Sequence, residues 1–395
     1  MKKFTSINNV ASFKNGFAFK SKNYTTEGIR IIRISNVQDG KIIDKNPKFY
    51  PDNSTKDYSE YLLEDGDLLM SLTGDVGRVG FIKSELLPAY LNQRVLKVEC
   101  DEKVILKKYI FYFFKSPEIY QKIIAMSKGV AQLNVSAGDI FQLQIPIPSL
   151  QEQEKIVERL DKVFENIDAT LSNNALKKKL YNDYFESISW NEVFENQKFS
   201  KNPISDFFEL DPSKSEILNE NLDEVSFIPM ADVDELIFEV DSKQIKDYKQ
   251  VKKGYKYFAN GDFLLAKITP CFENGKMGQV NNLKNKIGFG STEFIVHRSK
   301  GKILNEWLFL LYSNSRIRKK LASTMSGAVG HKRISKEIIS NLQICSPTIE
   351  EQKKIIDKLF MIKKIVDKKI SIIDKETVKY SSLKKSILNK EFSYE

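Results

Sequence analysis

A short motif occurs twice in this chain, and its two copies begin 199 residues apart. Residues 151–157 read Gln-Glu-Gln-Glu-Lys-Ile-Val, and residues 350–356 read Glu-Glu-Gln-Lys-Lys-Ile-Ile. Solenoid repeats have periods of about 20–50 residues, so a repeat of half the chain is too long to be a solenoid unit. The spacing instead predicts two copies of a whole module, each continuing into its own long helix.

Each copy of the motif predicts the start of a helix. Ser149 is suited to cap the first helix, and Glu152, three residues later, would complete a capping box. We expect this helix to run to about Ser189, and the second helix to occupy the last part of the sequence. At about 40 residues and 1.5 Å per residue, each spans roughly 60 Å.

The two helices keep one heptad register at the 199-residue offset, which favours a coiled-coil seam. Two amphipathic helices that pack only on their own heads remain an alternative. Packing of the two helices on each other, antiparallel, is the simplest way for one chain to bury both seams. The predicted a positions are Leu160, Ile167, Asn174, Tyr181 and Ile188, then Leu359, Val366, Ile373, Tyr380 and Ile387; the predicted d positions are Ile156, Val163, Thr170, Lys177 and Tyr184, then Ile355, Ile362, Lys369, Glu376 and Leu383.

The segments before the two helices predict two related heads that are rich in strands. Gly66–Thr73 corresponds to Gly261–Thr269 with one extra residue, and Asn134–Ser136 corresponds to Arg333–Ser335. The predicted fold class is α+β, with two strand-rich mixed domains separated by a long antiparallel two-helix coiled coil and a pseudo-twofold internal duplication. The predicted domains are 1–148 (first head), 149–190 (central helical spacer), 191–347 (second head) and 348–395 (C-terminal helical spacer).

The chain carries a formal net charge of +10, which favours an anionic partner such as nucleic acid. Lysine-rich helices with solvated faces would also explain this excess. The three cysteines and two histidines lie far apart, so the sequence predicts neither a disulfide framework nor a metal site. No signal peptide and no apolar run of membrane-spanning length is recognised, so we expect a cytoplasmic protein with no membrane partner.

Motifs for catalysis are not found, and no catalytic residue is predicted. The glycine-rich run Gly74–Gly80 is neither a dinucleotide fingerprint nor a phosphate-binding loop. The proline turn Asn46–Phe49 lacks the second proline of the Asn/Asp-Pro-Pro-aromatic motif of nucleic-acid aminomethyltransferases. A self-contained methyltransferase or nuclease therefore remains only as a rival hypothesis.

Polar side chains on equivalent loops of the two heads predict DNA contacts. Asn and Gln pair with adenine N6 and N7, whereas Arg and Lys pair with guanine O6 and N7 or with phosphates. The loop 128–134 and its counterpart 326–333 differ in these residues, as expected of heads with different base preferences, although an ordinary polar surface loop is the alternative. The candidate DNA-binding residues are Arg33, Thr73, Arg78, Arg94, Lys128, Gln132 and Asn134 in the first head, and Lys267, Thr269, Lys276, Ser291, Thr292, His331, Lys332 and Arg333 in the second.

Several of these segments match a known family. Gly16–Lys22, Ile32–Val37 and Ala266–Lys276 look like target-recognition-domain motifs, and Pro146–Gln153 with its repeat looks like the start of shared helical regions. Over nearly its full length the chain resembles the specificity subunit of type I restriction-modification systems. It departs from the pattern at Cys345–Thr348, where the second copy lacks the double-proline exit of the first.

The resemblance implies a division of labour. Each target recognition domain would read one half of a split, asymmetric site on double-stranded DNA, and the helices would act as a ruler. The helices would also dock two methyltransferase (modification) subunits, which would bind S-adenosylmethionine and methylate a flipped adenine. Restriction/translocase subunits would join for cleavage, and this chain would hold no cofactor. A duplicated DNA-binding regulator or scaffold without a methyltransferase partner is the alternative.

Overall fold

The computed structural model describes residues 3–51, 57–129, 133–217, 222–328 and 330–393. The chain forms two compact units. Unit 1 comprises residues 1–174 and 374–395, and unit 2 comprises residues 175–373. Each unit combines β-sheets, short helices and parts of two long helices, Leu150–Ser189 and Ile349–Phe392. The predicted α+β class with long helices is therefore confirmed.

The described strands of unit 1 form one large sheet and two small ones. In the largest, the only parallel pair is Gly40–Ile42 with Val79–Phe81, and all other neighbours are antiparallel. Its strand order is Ala11–Asn15, Val95–Cys100, Leu68–Ser71, Val79–Phe81, Gly40–Ile42, Val37–Gln38; a second sheet orders Phe49–Tyr50, Ile29–Ile32, Ala89–Leu91; and Phe4–Ser6 pairs with Gln144–Pro146.

The main core of unit 1 lies between the largest sheet and the helices. Leu68 and Leu96 from the sheet, Phe114 from a short helix and Leu160 from the first long helix belong to one buried cluster. Leu69 points to the other face of the same strand and is buried in a second cluster. The short helices are Lys107–Lys115, Pro117–Met126 and Ala137–Phe141.

Unit 2 repeats this plan with different side chains. Its core joins Phe263 and Ile295 of the sheet to Trp307 of a short helix and Leu359 of the second long helix. The described strands are ordered Phe208–Leu210, Phe294–Ser299, Phe263–Ala266, Met277–Val280, Glu239–Val240; then Gln244–Asp247, Glu224–Ile228, Ile287–Gly290, Lys256–Ala259; and Lys201–Pro203 pairs with Gln343–Cys345. The helices are Tyr248–Val251, Cys271–Asn274, Asn305–Ser313, Ser315–Ala322 and Lys336–Ser340, and a π-helical turn, Trp190–Phe194, follows the first long helix.

Within unit 1 the two long helices run antiparallel. Arg159 forms an ion pair with Glu391, and Lys384 Nζ lies 2.7 Å from Asp168 Oδ1. Asn174 is buried, and its Nδ2 donates to Thr377 Oγ1 at 3.4 Å. Residue numbers fall along one helix as they rise along the other, as an antiparallel pair requires.

Within unit 2 the helices also run antiparallel. The Lys363 ammonium lies 5.7 Å from the centroid of the Phe185 ring, and Lys358 Nζ donates to Glu192 Oε1 at 2.6 Å. Glu186, near the end of the first long helix, accepts the backbone N–H of Ser315 at 2.8 Å. The end of that helix is thus bonded to the start of Ser315–Ala322.

The heptad prediction holds for position a, where the residues are buried or half-buried, and fails at half of the d positions. The a residues Leu160, Ile167, Leu359 and Val366 are buried. At the d positions Lys177, Tyr184, Lys369, Glu376 and Leu383 are exposed. The d residues Ile156, Val163 and Ile355, which are buried or half-buried, pack against the core of a head.

The repeated glutamine of the motif has an identical structural role in both units. Gln153 Oε1 accepts the backbone N–H of Leu106 at 3.0 Å, and its Nε2 donates to the carbonyls of Val104 and Pro148. Gln352 makes the same three bonds, accepting from Leu304 N–H at 2.8 Å. Both glutamines are fully buried. The motif therefore recurs because it fastens the start of each long helix to the start of one short helix of its head, Lys107–Lys115 in unit 1 and Asn305–Ser313 in unit 2.

Candidate nucleic-acid interface

A short backbone ladder positions the loop of unit 1 that was predicted to contact DNA. Lys128 and Asn134 exchange two backbone hydrogen bonds, at 2.8 and 2.9 Å. The N–H of Gly74 donates to the Leu133 carbonyl at 2.9 Å, and the N–H of Val135 donates to the Leu72 carbonyl at 3.1 Å. The base of this loop is therefore fixed against the turn that follows strand Leu68–Ser71.

Four predicted residues of unit 1 come together at this point. The buried Thr73 hydroxyl donates to Asn134 Oδ1 at 2.9 Å, which directs the Asn134 amide nitrogen away from Thr73. Arg94 is exposed, has a φ of +67°, and its carbonyl accepts the N–H of Leu72 at 3.0 Å. We call Thr73, Arg94, Lys128 and Asn134 the unit 1 loop cluster. Gln132, also predicted, lies outside the described residues.

The other two candidates of the first head, Arg33 and Arg78, both lie near Gln38. Arg33 Nη2 donates to the Asn46 carbonyl at 2.7 Å, and its Nε is buried without a hydrogen-bond partner in the described part of the chain. Arg33 and Gln38 line a cavity of about 230 Å³. Arg78 Nη1 donates to Gln38 Oε1 at 3.2 Å and lies 2.8 Å from Asp75 Oδ2. Both arginines are thus held partly by internal bonds.

The same ladder occurs in unit 2. Ser326 and Arg333 exchange two backbone bonds at 3.1 and 2.8 Å, Thr269 N–H donates to the Lys332 carbonyl, and Ile334 N–H donates to the Lys267 carbonyl. Arg333 therefore occupies the position of Asn134. Isolated β-bridges join Thr73 to Asn134 and Ile268 to Arg333, so the counterpart of Thr73 is Ile268. The sequence comparison had aligned Thr73 with Thr269, and that alignment is wrong by one residue.

A carboxylate missed by sequence reasoning holds Arg333 in place. Arg333 Nε lies 2.9 Å from Glu293 Oε2 and 3.1 Å from Oε1, and Nη2 lies 2.7 Å from Oε1. Its Nη1 donates to the His331 carbonyl at 3.0 Å. The Glu293 carbonyl accepts the Lys267 N–H at 2.8 Å, which makes Glu293 the counterpart of Arg94. We call Lys267, Glu293, Lys332 and Arg333 the unit 2 loop cluster.

This ion pair is reflected in the pKa values of both groups. The hydrogen bonds from the Arg333 guanidinium lower the pKa of Glu293, and nearby Lys267 acts in the same direction. The hydrogen bonds to Glu293 raise the pKa of Arg333. Both groups are therefore charged at neutral pH. Their separation of 40 residues along the chain explains why no sequence pattern indicates the pair.

The remaining candidates of the second head divide into bonded and exposed residues. Thr269 Oγ1 donates to Glu273 Oε1 at 2.8 Å, and Lys276 Nζ donates to the Met230 carbonyl at 3.2 Å. Ser291 Oγ accepts the N–H of Glu293 at 3.2 Å, so it supports the turn before that residue. The exposed residues are Thr292, His331 and Lys332.

Both loop clusters offer chemistry suited to duplex DNA. Unit 1 presents the cations Arg94 and Lys128 beside an amide, and unit 2 presents Lys332 beside a guanidinium held by a carboxylate. Such groups bind phosphates and base edges. Among the described residues no group of three or more His, Cys, Asp or Glu side chains is arranged to hold a metal ion. None of the described helices is both long and apolar enough to cross a membrane.

Comparison with known proteins gives the class to which this duplicated scaffold belongs. The family described as "Type I restriction modification DNA specificity domain" matches residues 2–179 and 196–375. The chain belongs to this family, which confirms the resemblance seen in the sequence and supports DNA sequence recognition as its role.

Individual relatives match over different lengths. The specificity subunit of the Type I restriction enzyme EcoAI from Escherichia coli is 40% identical over 145 residues, which are 36% of this chain but only 25% of that subunit. The EcoBI specificity subunit from Escherichia coli is 23% identical, covering 98% of this chain and 84% of that protein. The EcoKI subunit from Escherichia coli strain K12 is also 23% identical, with coverages of 98% and 87%.

Solved structures share the fold. A chain from work on complex assembly and conformational transition of the type I R-M system superposes with a TM-score of 0.74 at 16% identity, covering 98% of this chain and 96% of that chain. The HsdS subunit from Thermoanaerobacter tengcongensis gives a TM-score of 0.53 at 16% identity, with coverages of 99% and 96%.

Proposed function

We propose that this chain is the DNA-recognition subunit of a type I restriction-modification complex that reads a bipartite, asymmetric site. The observation that carries the proposal is the pair of loop clusters, which share one backbone ladder but present different side chains. Asn134 and Arg94 in unit 1 stand where unit 2 has Arg333 and Glu293. Equivalent scaffolds with different polar groups suit the reading of two different half-sites.

In this proposal the target recognition domains, 1–148 and 191–347, each bind one half-site, and the long helices set the gap between them. Phosphate contacts supply affinity that does not depend on sequence, and base contacts supply discrimination of about 1–3 kcal/mol per bidentate pair. Linking the two heads makes binding of the second half-site intramolecular, so two short sequences are recognised as one.

The partners complete the activity. Two modification subunits would dock on the helical spacers, bind S-adenosylmethionine and methylate a flipped adenine, and restriction/translocase subunits would join for cleavage. The chain itself would be non-catalytic and would bind no cofactor. Co-purification of the full chain with a partner that contains an Asn-Pro-Pro-aromatic motif would support this assignment, whereas a DNA-binding chain without such a partner would favour a regulator or scaffold.

The spacer is tested by removing seven residues from each long helix, which preserves the heptad register. The deletion shortens each helix by about 10 Å, comparable to about three base pairs at 3.4 Å each. Methylation mapping of a host that expresses the complex should then show a shorter gap between unchanged half-sites. Deletion from one helix alone is the control, because it leaves the two helices unequal in length and should abolish methylation. An unchanged gap after the paired deletion would refute the proposal that the long helices set the distance between the half-sites.

A further inference from the structure

The Arg333 side chain is fixed in direction but not fully bonded. An arginine has five N–H donors. Three are used in the bonds to Glu293 and His331, so one N–H on each Nη nitrogen has no acceptor within the described residues. The side chain is 45% exposed. A guanidinium in this state has two adjacent donors available to a ligand, and their orientation is set before the ligand arrives.

The anchoring of this pair is rigid on both sides. Glu293 follows Ser291, whose Oγ accepts its N–H, and its carbonyl accepts Lys267 N–H at the end of a central strand. Arg333 is fixed through its backbone bonds to Ser326 and precedes Ile334, which is buried in the core. An oriented arginine loses less side-chain freedom on binding than a mobile one. The pair is therefore suited to discriminating between ligands and adds little to long-range attraction, because the carboxylate cancels the charge.

One available donor on each of the two Nη nitrogens suits the O6 and N7 acceptors of guanine in the major groove. No other base presents two acceptors there. A phosphate also accepts two bonds from arginine, but a carboxylate beside the contact would repel it. The geometry points to Arg333 as the residue that reads a guanine in the half-site of unit 2, with Glu293 as its positioning residue. This assignment rests on the proposed function and deepens it by naming the base.

The test measures binding of the full chain, co-expressed with its modification subunit, to duplexes in which each base pair of the mapped site is replaced in turn. Arg333→Ala should lower the preference for G·C at one pair of the unit 2 half-site by about 10- to 100-fold, with preferences elsewhere unchanged. Arg333→Lys keeps the charge but loses the paired donors, so it should lose most of that preference.

The Glu293→Gln variant distinguishes a positioning role of Glu293 from a purely structural one. It frees Arg333 and removes a negative charge, so the preference at the same base pair should fall while affinity for non-specific duplex holds or rises. Lys332→Ala is the matched control, since it should weaken all duplexes alike. Both tryptophans, Trp190 and Trp307, lie in unit 2, so their fluorescence in urea reports whether each variant keeps that unit folded.

The outcomes distinguish this inference from the function on which it rests. A wild-type complex that binds all duplexes equally would overturn both. A specific wild-type complex whose preferences survive Arg333→Ala would overturn the guanine assignment alone. So would a uniform loss of affinity in both the Arg333→Ala and Glu293→Gln variants, because a structural brace would act on every duplex alike.

Discussion

A buried histidine gives the stability of unit 2 a pH dependence that can be worked out from its surroundings. His297 is completely buried among Phe208, Phe263 and Tyr312, and its Nε2 lies 3.1 Å from the Tyr312 hydroxyl. Burial lowers its pKa from 6.5 to about 4, against a smaller opposing effect of Asp211. The imidazole is therefore neutral in the folded protein at pH 7.

The unfolded chain binds the proton more readily, so acid favours unfolding. The contribution to stability is complete above about pH 6.5 and is lost as the pH falls toward 4. At 1.36 kcal/mol per pKa unit, His297 should lower the free energy of unfolding of unit 2 by about 2 kcal/mol between pH 7 and pH 5. Other titrating groups add their own pH dependence, so a matched variant is needed to isolate His297.

The equivalent residues of unit 1 indicate which substitutions this variant should carry. By strand register Val98 occupies the place of His297, because Val98 pairs with Leu68 as His297 pairs with Phe263. Phe114 is the eighth residue of its helix, as Tyr312 is of its own. The double substitution His297→Val and Tyr312→Phe therefore replaces the polar pair with the apolar pair of the other unit.

Removing both partners leaves neither polar group unpaired, so the cost at pH 7 should be small, within about 1 kcal/mol. The single substitution His297→Val leaves the buried Tyr312 hydroxyl without a partner and should cost about 1–3 kcal/mol more. Urea unfolding followed by tryptophan fluorescence reports unit 2 alone, since Trp190 and Trp307 both lie there. If the double variant lost as much stability as the wild type between pH 7 and pH 5, the assignment to His297 would be refuted.

Three further outcomes follow from the contacts described above. Gln352→Ala should destabilise unit 2 by about 2–3 kcal/mol in urea unfolding, because it leaves the Leu304 N–H unpaired, whereas Glu350→Ala on the exposed face should have little effect. Lys332→Ala should reduce the slope of the logarithm of the DNA-binding constant against the logarithm of salt concentration by about one unit, and an unchanged slope would exclude a phosphate contact. Asn134→Ala should lower the preference for adenine at one pair of the unit 1 half-site in competition binding, leaving the other half-site unaffected; equal losses in both half-sites would contradict separate reading.

The internal duplication and the long helices are determined locally, and the sequence was sufficient to predict them. A heptad pattern and an N-cap depend on residues within a few turns of each other. Ser149 Oγ accepts the N–H of Glu152 at 3.3 Å, as its position before the helix predicted. The buried a positions at Leu160 and Leu359 were likewise predictable from spacing alone.

The burial of the d positions and the pairing within the loop clusters were decided by tertiary structure. Tyr184 satisfies the heptad pattern but is exposed, because no second layer packs on that face in the described chain. Glu293 and Arg333 are 40 residues apart, and Thr73 and Asn134 are 61 apart. Sequence reasoning selected Arg333, Thr73 and Asn134 by residue type. Their bonding partners are evident only in the folded head, where loops that are distant in sequence meet at the end of one strand. Contacts of that separation depend on how the whole head folds, and no local pattern encodes them.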